Sequence, residues 1–318
     1  MTKKTAYLFP GQGAQYAGIG GDLHEKFAVV RDTYAEAGEA LGYDIAELCF
    51  RGDAAEINRT RHTQPALLTH SVACMRAFAE ARPDMSPALA AGHSLGEYTA
   101  LVAAESLDFS AALKLVKTRG ELMGEYGRGE MEALMLDAGA ARELAAMHCC
   151  AISACNLPQQ TVVGGRAEDL DALLADMAAR HPRKRSVRLK TEGAFHTFYM
   201  VEAAVKFRET LAAAKFAPPK CAVLSNFSGD FHDAEPAAIR SRLFLQLFNP
   251  VLWHDNLLRI KEAGAELLVE FGGGIGGGES PAEKRPNLEA MAKKVCGGAE
   301  YLPVINARTL EAASGETG

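Results

Sequence analysis

The sequence has no long apolar run, no excess of basic charge and no regular cysteine spacing, and each lack removes a class of protein. Nowhere do apolar residues accumulate to the ~20 that a membrane-spanning helix needs. The N-terminus, Met1-Thr2-Lys3-Lys4, leads into no apolar stretch of the kind a signal peptide carries. With 34 Lys and Arg against 40 Asp and Glu, the net charge is -6, so the molecule as a whole has no electrostatic pull toward nucleic acid or an anionic membrane. The seven cysteines (Cys49, Cys74, Cys149, Cys150, Cys155, Cys221 and Cys296) are odd in number and form no CxxC pair. That speaks against a disulfide framework and a zinc site, and fits reduced thiols in a cytoplasm. His148-Cys149-Cys150 is the one conceivable metal cluster, and it reads better as a strand edge with small buried thiols, so no metal is expected. What remains is ordinary for a soluble globular chain: 48 % hydrophobic and 23 % charged residues over 318 positions, enough for one large domain with an insertion.

The spacing of apolar residues predicts a strand over Thr5 to Phe9, broken by the tight loop Pro10-Gly11-Gln12-Gly13. Helices are expected from about Gly21 to Leu41 and from about Gln64 to Ala81, with Pro65 in a first turn. A short apolar run, Ala88 to Ala91, leads into Gly92-His93-Ser94-Leu95-Gly96, and a helical pattern starts at Glu97. From about Glu132 to Lys190 the rhythm changes. Strand, helix, two strands, helix and strand follow in order (132–136, 140–147, 149–155, 161–164, 167–180, 185–190), the βαββαβ order of a ferredoxin-like unit. We therefore expect a small subdomain over 129–191 inserted between 1–128 and 192–318. Later, Ala222 to Ser225 reads as a strand, Asn249-Pro250 as an N-cap with proline at N1, and Leu267 to Phe271 as a last buried strand. No internal repeat is present.

Gly92-His93-Ser94-Leu95-Gly96 fits the G-x-S-x-G nucleophile elbow, in which glycines two residues either side of a serine permit a sharp strand-to-helix turn. A capping serine at a helix start is the plainer alternative. The elbow makes the N–H of Leu95 one oxyanion donor, and the Gly11-Gln12-Gly13 loop is the best source of a second. Serine needs a base within reach, and nine histidines compete. His196 lies where the chain leaves the inserted unit and borders the cleft; a structural histidine is the alternative. His93 adjoins Ser94 but is expected to point away from its hydroxyl.

Several motifs together, in order, resemble the malonyl-CoA:acyl carrier protein transacylases of fatty acid synthesis and the acyltransferases of polyketide synthases. They are Phe9-Pro10-Gly11-Gln12-Gly13, Thr63-Gln64-Pro65-Ala66, Gly92-His93-Ser94-Leu95-Gly96-Glu97, Arg119 in Lys117-Thr118-Arg119-Gly120, Asn156, Ala194-Phe195-His196 and Asn249-Pro250-Val251. The resemblance implies an α/β fold, a hydrolase-like core with a parallel sheet plus the inserted ferredoxin-like small subdomain. It makes Ser94 the nucleophile, His196 the base and the N–H groups of Gln12 and Leu95 the oxyanion hole, with Gln64, His93, Asn156 and Phe195 lining the substrate site. It also makes Arg119 the grip on a malonyl carboxylate, as a planar guanidinium with paired donors suits; from the residues alone Arg119 is a solvated helix arginine. The histidine would be oriented by a backbone carbonyl from Asn249 to Trp253, where many transacylases have glutamine and this chain has Leu252.

Ala194-Phe195-His196 resembles the malonyl-selecting form of its signature, with Phe195 narrowing the pocket beside the α-carbon and Gly193 departing from the usual first residue. The run Gly272 to Gly278 contains a literal G-x-G-x-x-G, but Pro281 and Pro286 interrupt the helix a dinucleotide needs, so it reads as a lid, a partner-binding loop or a flexible loop. The basic run His181 to Lys190 reads as a solvated strand edge, with docking of an acidic carrier as the second option. The resemblance implies a discrete cytoplasmic acyltransferase without metal or redox cofactor. It would load malonyl, or a substituted malonyl, from coenzyme A onto the phosphopantetheine thiol of an acyl carrier protein or a synthase carrier domain. Nucleic acid and membrane are not expected partners. An acyl hydrolase acting on carriers and a non-catalytic carrier-binding module are the rivals.

Overall fold

The computed structural model describes residues 3–315, so Met1 and Thr2 of the N-terminal segment lie outside the described residues. Among the described residues there are nine strands: β1 (Thr5–Phe9), β2 (Leu89–Gly92), β3 (Glu130–Leu134), β4 (Ala151–Leu157), β5 (Gln160–Gly165), β6 (Ser186–Leu189), β7 (Ala222–Val223), β8 (Leu267–Phe271) and β9 (Glu300–Val304). Five of them form a parallel sheet in the order β7-β2-β1-β8-β9. β1, β2 and β8 are buried along their whole length, as strands covered on both faces by crossover helices must be. Because the strands run parallel, the segments after β1, β2, β7 and β8 emerge at one edge. That edge gathers Pro10–Gly13, His93–Leu95, Ser225–Asn226 and Gly272–Gly274.

The other four strands make an antiparallel sheet in the order β4-β5-β3-β6. One cluster of buried side chains, including Leu134, Leu144, Ile152, Val163, Leu170 and Leu173, packs this sheet against its helices Ala138–Met147 and Ala167–Arg180. Met131, Ala133, Ala154 and Val162 belong instead to the main core. The two parts are also spliced through backbone: Val251 bridges Ala154, with Cys155 N–H donating to Val251 O and Val251 N–H to Ser153 O, both at 2.9 Å.

Several local expectations change. The first helical pattern is two helices, Gly21–Lys26 and Ala28–Leu41, separated by an extended Phe27. Buried Leu23, Val30, Tyr34, Ala37 and Leu41 keep their period across the break, so the apolar pattern hides it. Pro65 is not in a first turn but inside the helix Thr60–Ala81. Asn249 is not an N-cap: its Nδ2 donates back to Leu245 O at 2.9 Å, near the end of the preceding helix, and the next helix, Trp253–Glu262, has Leu252 at its N-cap. Glu132 turns inward, 2 % exposed, and accepts from Arg188 Nε at 2.7 Å across the β3–β6 pair. Arg188 also binds Glu130 and Asp171, while Arg183, Lys184 and Arg185 stay exposed before edge strand β6. His148, the imagined metal ligand, lies 3.2 Å from Asp176, and Cys149 is exposed while Cys150 is buried.

The glycine-rich segment is held down by specific contacts and is not a free loop. Ile275 and Arg285 exchange two backbone hydrogen bonds at 2.9 Å, and Gly274 N–H donates to Ala14 O at 2.7 Å. A Cβ on Gly273 would stand 2.8 Å from Ala14 Cβ and 2.9 Å from Pro10 Cγ, so only glycine permits the approach. Lys284 donates from Nζ to Gly276 O at 3.2 Å and to Gly278 O, and lies 4.9 Å from the Tyr16 ring centre. The segment is thus a strap pressed against the loop that carries Gln12. No helix among the described residues is long and apolar enough to cross a membrane.

Candidate active site

β2 ends at Gly92 and the helix Gly96–Ala103 begins four residues later, leaving Ser94 at the apex of the turn with φ 53°. A serine held in the left-handed region stores strain, and the surroundings hold it there. A Cβ on Gly92 would fall 1.9 Å from the backbone of Gly96, and one on Gly96 would fall 2.1 Å from Phe9 O. Both glycines of the motif are therefore demanded by close backbone contact. Beneath the turn, Asn226 Oδ1 accepts from Ser94 N–H at 2.6 Å, and Asn226 Nδ2 donates to Gly92 O at 2.8 Å and to Asn256 Oδ1 at 2.9 Å.

His196 also has a positive φ, 61°, and its Nε2 lies 2.7 Å from Ser94 Oγ. Its Nδ1 lies 2.7 Å from the carbonyl of Gln246. A carbonyl only accepts, so Nδ1 carries the proton and Nε2 presents a lone pair to the serine hydroxyl. This corrects the expectation that Asn249 or Leu252 supplies the carbonyl. Gln246 is the last residue of the helix Pro236–Gln246, and a helix end leaves its final carbonyls free of intrahelical partners. Leu252 instead donates its N–H to Asn226 O at 2.9 Å. Burial, with Arg119 beside it, pushes the His196 imidazole down to about 3. Its folded-state value lies below the unfolded one, so the unfolded chain binds the extra proton and stability falls as pH drops from about 6.5 toward 3. At neutral pH the ring is a free base.

Arg119, from the helix Phe109–Tyr126, is no solvated arginine; it is 1 % exposed. Nη1 donates to Gln64 Oε1 at 2.8 Å, and Nη2 to Gln246 Oε1 at 3.1 Å and Ser94 Oγ at 3.2 Å. Nε has no partner, and no ion pair to Arg119 occurs among the described residues. Burial lowers its proton affinity. Gln64 is buried and anchors its own Nε2 on Met123 Sδ at 3.4 Å. His93 does turn from the serine: its Nε2 lies 2.9 Å from Asn156 Oδ1 and its ring packs edge-on to Trp253. Phe195 is buried next to His196, its carbonyl accepting from Ser153 Oγ at 2.7 Å. Gln12 donates from Nε2 to Thr60 Oγ1 at 3.2 Å, and among the described residues the backbone N–H groups of Gln12 and Leu95 are taken up by no protein acceptor.

Ser94, His196, Arg119 and Gln64 thus meet, with His93 and Asn156 as a separate pair beside them and Asn249 outside. Sequence reasoning passed over Gln246, Asn226, Asn256 and His232, and quoted Glu97 only as a motif letter. Glu97 is fully buried, accepting from Asn226 N–H at 2.9 Å and Gln246 Nε2 at 2.8 Å, with His232 Nε2 at 2.7 Å. The available signal was a lone amide in the apolar stretch Leu243 to Phe248.

Residues 6–271 match the acyl transferase domain family. The chain is 34 % identical over 319 residues to a malonyl CoA-acyl carrier protein transacylase of Bacillus subtilis, covering 98 % of this chain and 96 % of that protein. The malonyl CoA-acyl carrier protein transacylase of Coxiella burnetii superposes with a TM-score of 0.88 at 31 % identity, covering 98 % of this chain and 97 % of that one. A malonyl-transacylase solved with its type II polyketide synthase acyl-carrier protein superposes equally well, with a TM-score of 0.88 at 33 % identity, covering 99 % and 100 %. A domain match over residues 6–271, most of the chain, makes this protein an acyltransferase of the acyl transferase domain family.

Proposed function

We propose that this protein transfers a malonyl-type acyl group from coenzyme A to the phosphopantetheine thiol of an acyl carrier protein, through an ester on Ser94. The observation that carries the reading is the buried guanidinium of Arg119, which has no ion-pair partner among the described residues and reaches to 3.2 Å from the Ser94 hydroxyl. A buried cation calls for an anion, and an acyl group bearing a carboxylate supplies one at the atom where acyl transfer begins. His196 Nε2 takes the Ser94 proton as Oγ attacks the thioester carbonyl, and the N–H groups of Gln12 and Leu95 receive the oxyanion. Collapse breaks the C–S bond, and the imidazolium returns its proton to the departing coenzyme A thiolate. In the second half, His196 takes the proton of the carrier thiol, the thiolate attacks the ester, and Ser94 leaves with that proton. The antiparallel order β4-β5-β3-β6 supports a ferredoxin-like small subdomain, and the elbow at the edge of the parallel sheet a hydrolase-like core. Seven free cysteines and a coenzyme A substrate fit a cytoplasmic location.

Arg119→Ala tests the proposal. A charge-assisted pair in this setting contributes about 2 to 4 kcal/mol, so kcat/KM for malonyl-CoA is expected to fall roughly 30-fold to 1000-fold. Acetyl-CoA brings no carboxylate and should lose far less, reversing the preference. Equal losses for both thioesters, or a wild-type preference for a neutral acyl group, would return the hydrolase reading to the front.

The low proton affinity of His196 gives a second expectation. The acylation rate measured by stopped flow should stay flat from pH 8 to about pH 5, because the base remains unprotonated throughout. A midpoint near 6.5 would mean that the imidazole is solvated in the working enzyme.

A further inference from the structure

Arg119 has a hidden counterweight. Glu97 is 0 % exposed, and one amide joins it to the guanidinium: Gln246 Nε2 donates to Glu97 Oε2 at 2.8 Å while Gln246 Oε1 accepts from Arg119 Nη2 at 3.1 Å. The amide can face only one way, since a carboxylate accepts and a guanidinium donates. Its Nε2 also donates to Ser94 O at 3.0 Å, and the backbone carbonyl of the same glutamine holds His196. Glu97 is fixed in turn by Asn226 N–H at 2.9 Å and by His232 Nε2 at 2.7 Å, both inside the protein. A charge so enclosed is felt at a distance, because little water intervenes to screen it. Burial lowers the proton affinity of Arg119, and Tyr98 and then Glu97 oppose that lowering.

We infer that Glu97 is a specificity-determining residue that acts through Gln246: its negative charge partly balances Arg119 and so sets how strongly the site favours acyl groups that carry a carboxylate over neutral ones. This rests on the reading that Arg119 meets the substrate's carboxylate. In the free enzyme Glu97 makes the buried cation tolerable; with malonyl bound, the same charge opposes the incoming anion. The prediction has a counterintuitive sign, because neutralising an acid behind the site should tighten binding of an acidic ligand. Glu97→Gln keeps the shape and can keep the contacts. The new carbonyl accepts from Asn226 N–H and Gln246 Nε2, and the new amide donates to His232 once that ring changes tautomer.

The experiment uses Ser94→Ala as a chemically silent background and measures malonyl-CoA and acetyl-CoA binding by calorimetry. Adding Glu97→Gln should lower the malonyl-CoA Kd roughly 5- to 30-fold and leave acetyl-CoA within about twofold, the scale of one charge acting across several ångströms of protein. Equal shifts for the two thioesters, or weaker malonyl-CoA binding, would overturn the inference. Glu97→Asp retains the charge and should retain the wild-type ratio; if it shifts the ratio as far as Glu97→Gln, the effect is geometric and the inference fails. Should Glu97→Gln alone fold poorly, Glu97→Gln with Arg119→Gln is expected to melt higher than Glu97→Gln, since the uncompensated charge is gone, and a double variant no more stable would count against the pairing. Adding Arg119→Ala to the Ser94→Ala background separates the two layers. If that change does not selectively weaken malonyl-CoA, it is the role of Arg119 that fails, not the coupling to Glu97.

Discussion

Ser94→Ala is expected to abolish acyl-enzyme formation: intact-mass measurement after mixing with malonyl-CoA should show one malonyl addition on the wild type and none on the variant. Among the described residues no other hydroxyl or thiol stands at an elbow with an imidazole nitrogen 2.7 Å away. The seven cysteines are the chemical competitors, and burial pushes the thiols of Cys49 and Cys150 up to about 12 and those of Cys221 and Cys296 up to about 11. Such thiols are not thiolates at neutral pH. Exposed Cys149 is the residue to watch, and a malonyl group mapped to it in Ser94→Ala would sink the serine mechanism. The variant should fold, because the turn is held through Ser94 N–H and its carbonyl, not through its hydroxyl alone.

His196→Ala should slow acylation by about 100-fold to 10,000-fold, the scale of losing a general base. Its geometry makes the loss hard to repair. Nε2 touches the hydroxyl directly, and the ring of His93 is committed to Asn156 at 2.9 Å. On the proposed mechanism thiol transfer should suffer as much as acylation, because one imidazole would serve both halves in opposite senses. Single-turnover rates for each half distinguish this from a binding defect, and a near-normal rate would assign the proton transfer to another group. Added imidazole should restore part of the rate, since the vacated space lies between the hydroxyl and the Gln246 carbonyl.

Much of this architecture could be read from residues alone, and what escaped has a common cause. Ser94 was legible because its signal is local, an elbow needing its glycines within five positions; His196 stood level with a structural histidine until the family resemblance singled it out, and its 2.7 Å approach to Ser94 Oγ belongs to the fold. The succession of strands and helices from Glu130 to Leu189 was legible because short strand-like runs and helix-period runs follow one another there. Gln246 was not, since a backbone carbonyl is offered by every residue and only the way the helix Pro236–Gln246 ends selects this one. Asn226, Asn256, Glu97 and His232 are contributed from distant stretches, and a buried polar residue looks no different in sequence from a solvated one. The glycine run misled for the converse reason: glycine marks a loose segment and a tightly apposed one alike, and Ala14 and Pro10 decide between them.

The splice between Ala154 and Val251 bears on how the chain comes into being. Until Val251 has left the ribosome, β4 has one bare edge, and the carbonyl that will orient His196 has only just been made. Synthesis from the N-terminus therefore finishes the strand before Ser94 early and the support of His196 late, so the nascent chain carries an incomplete site through most of its elongation. Pairings between segments so far apart are slow to close. The enzyme's reactivity is in this sense a property of the finished molecule, acquired when its two halves are sewn together.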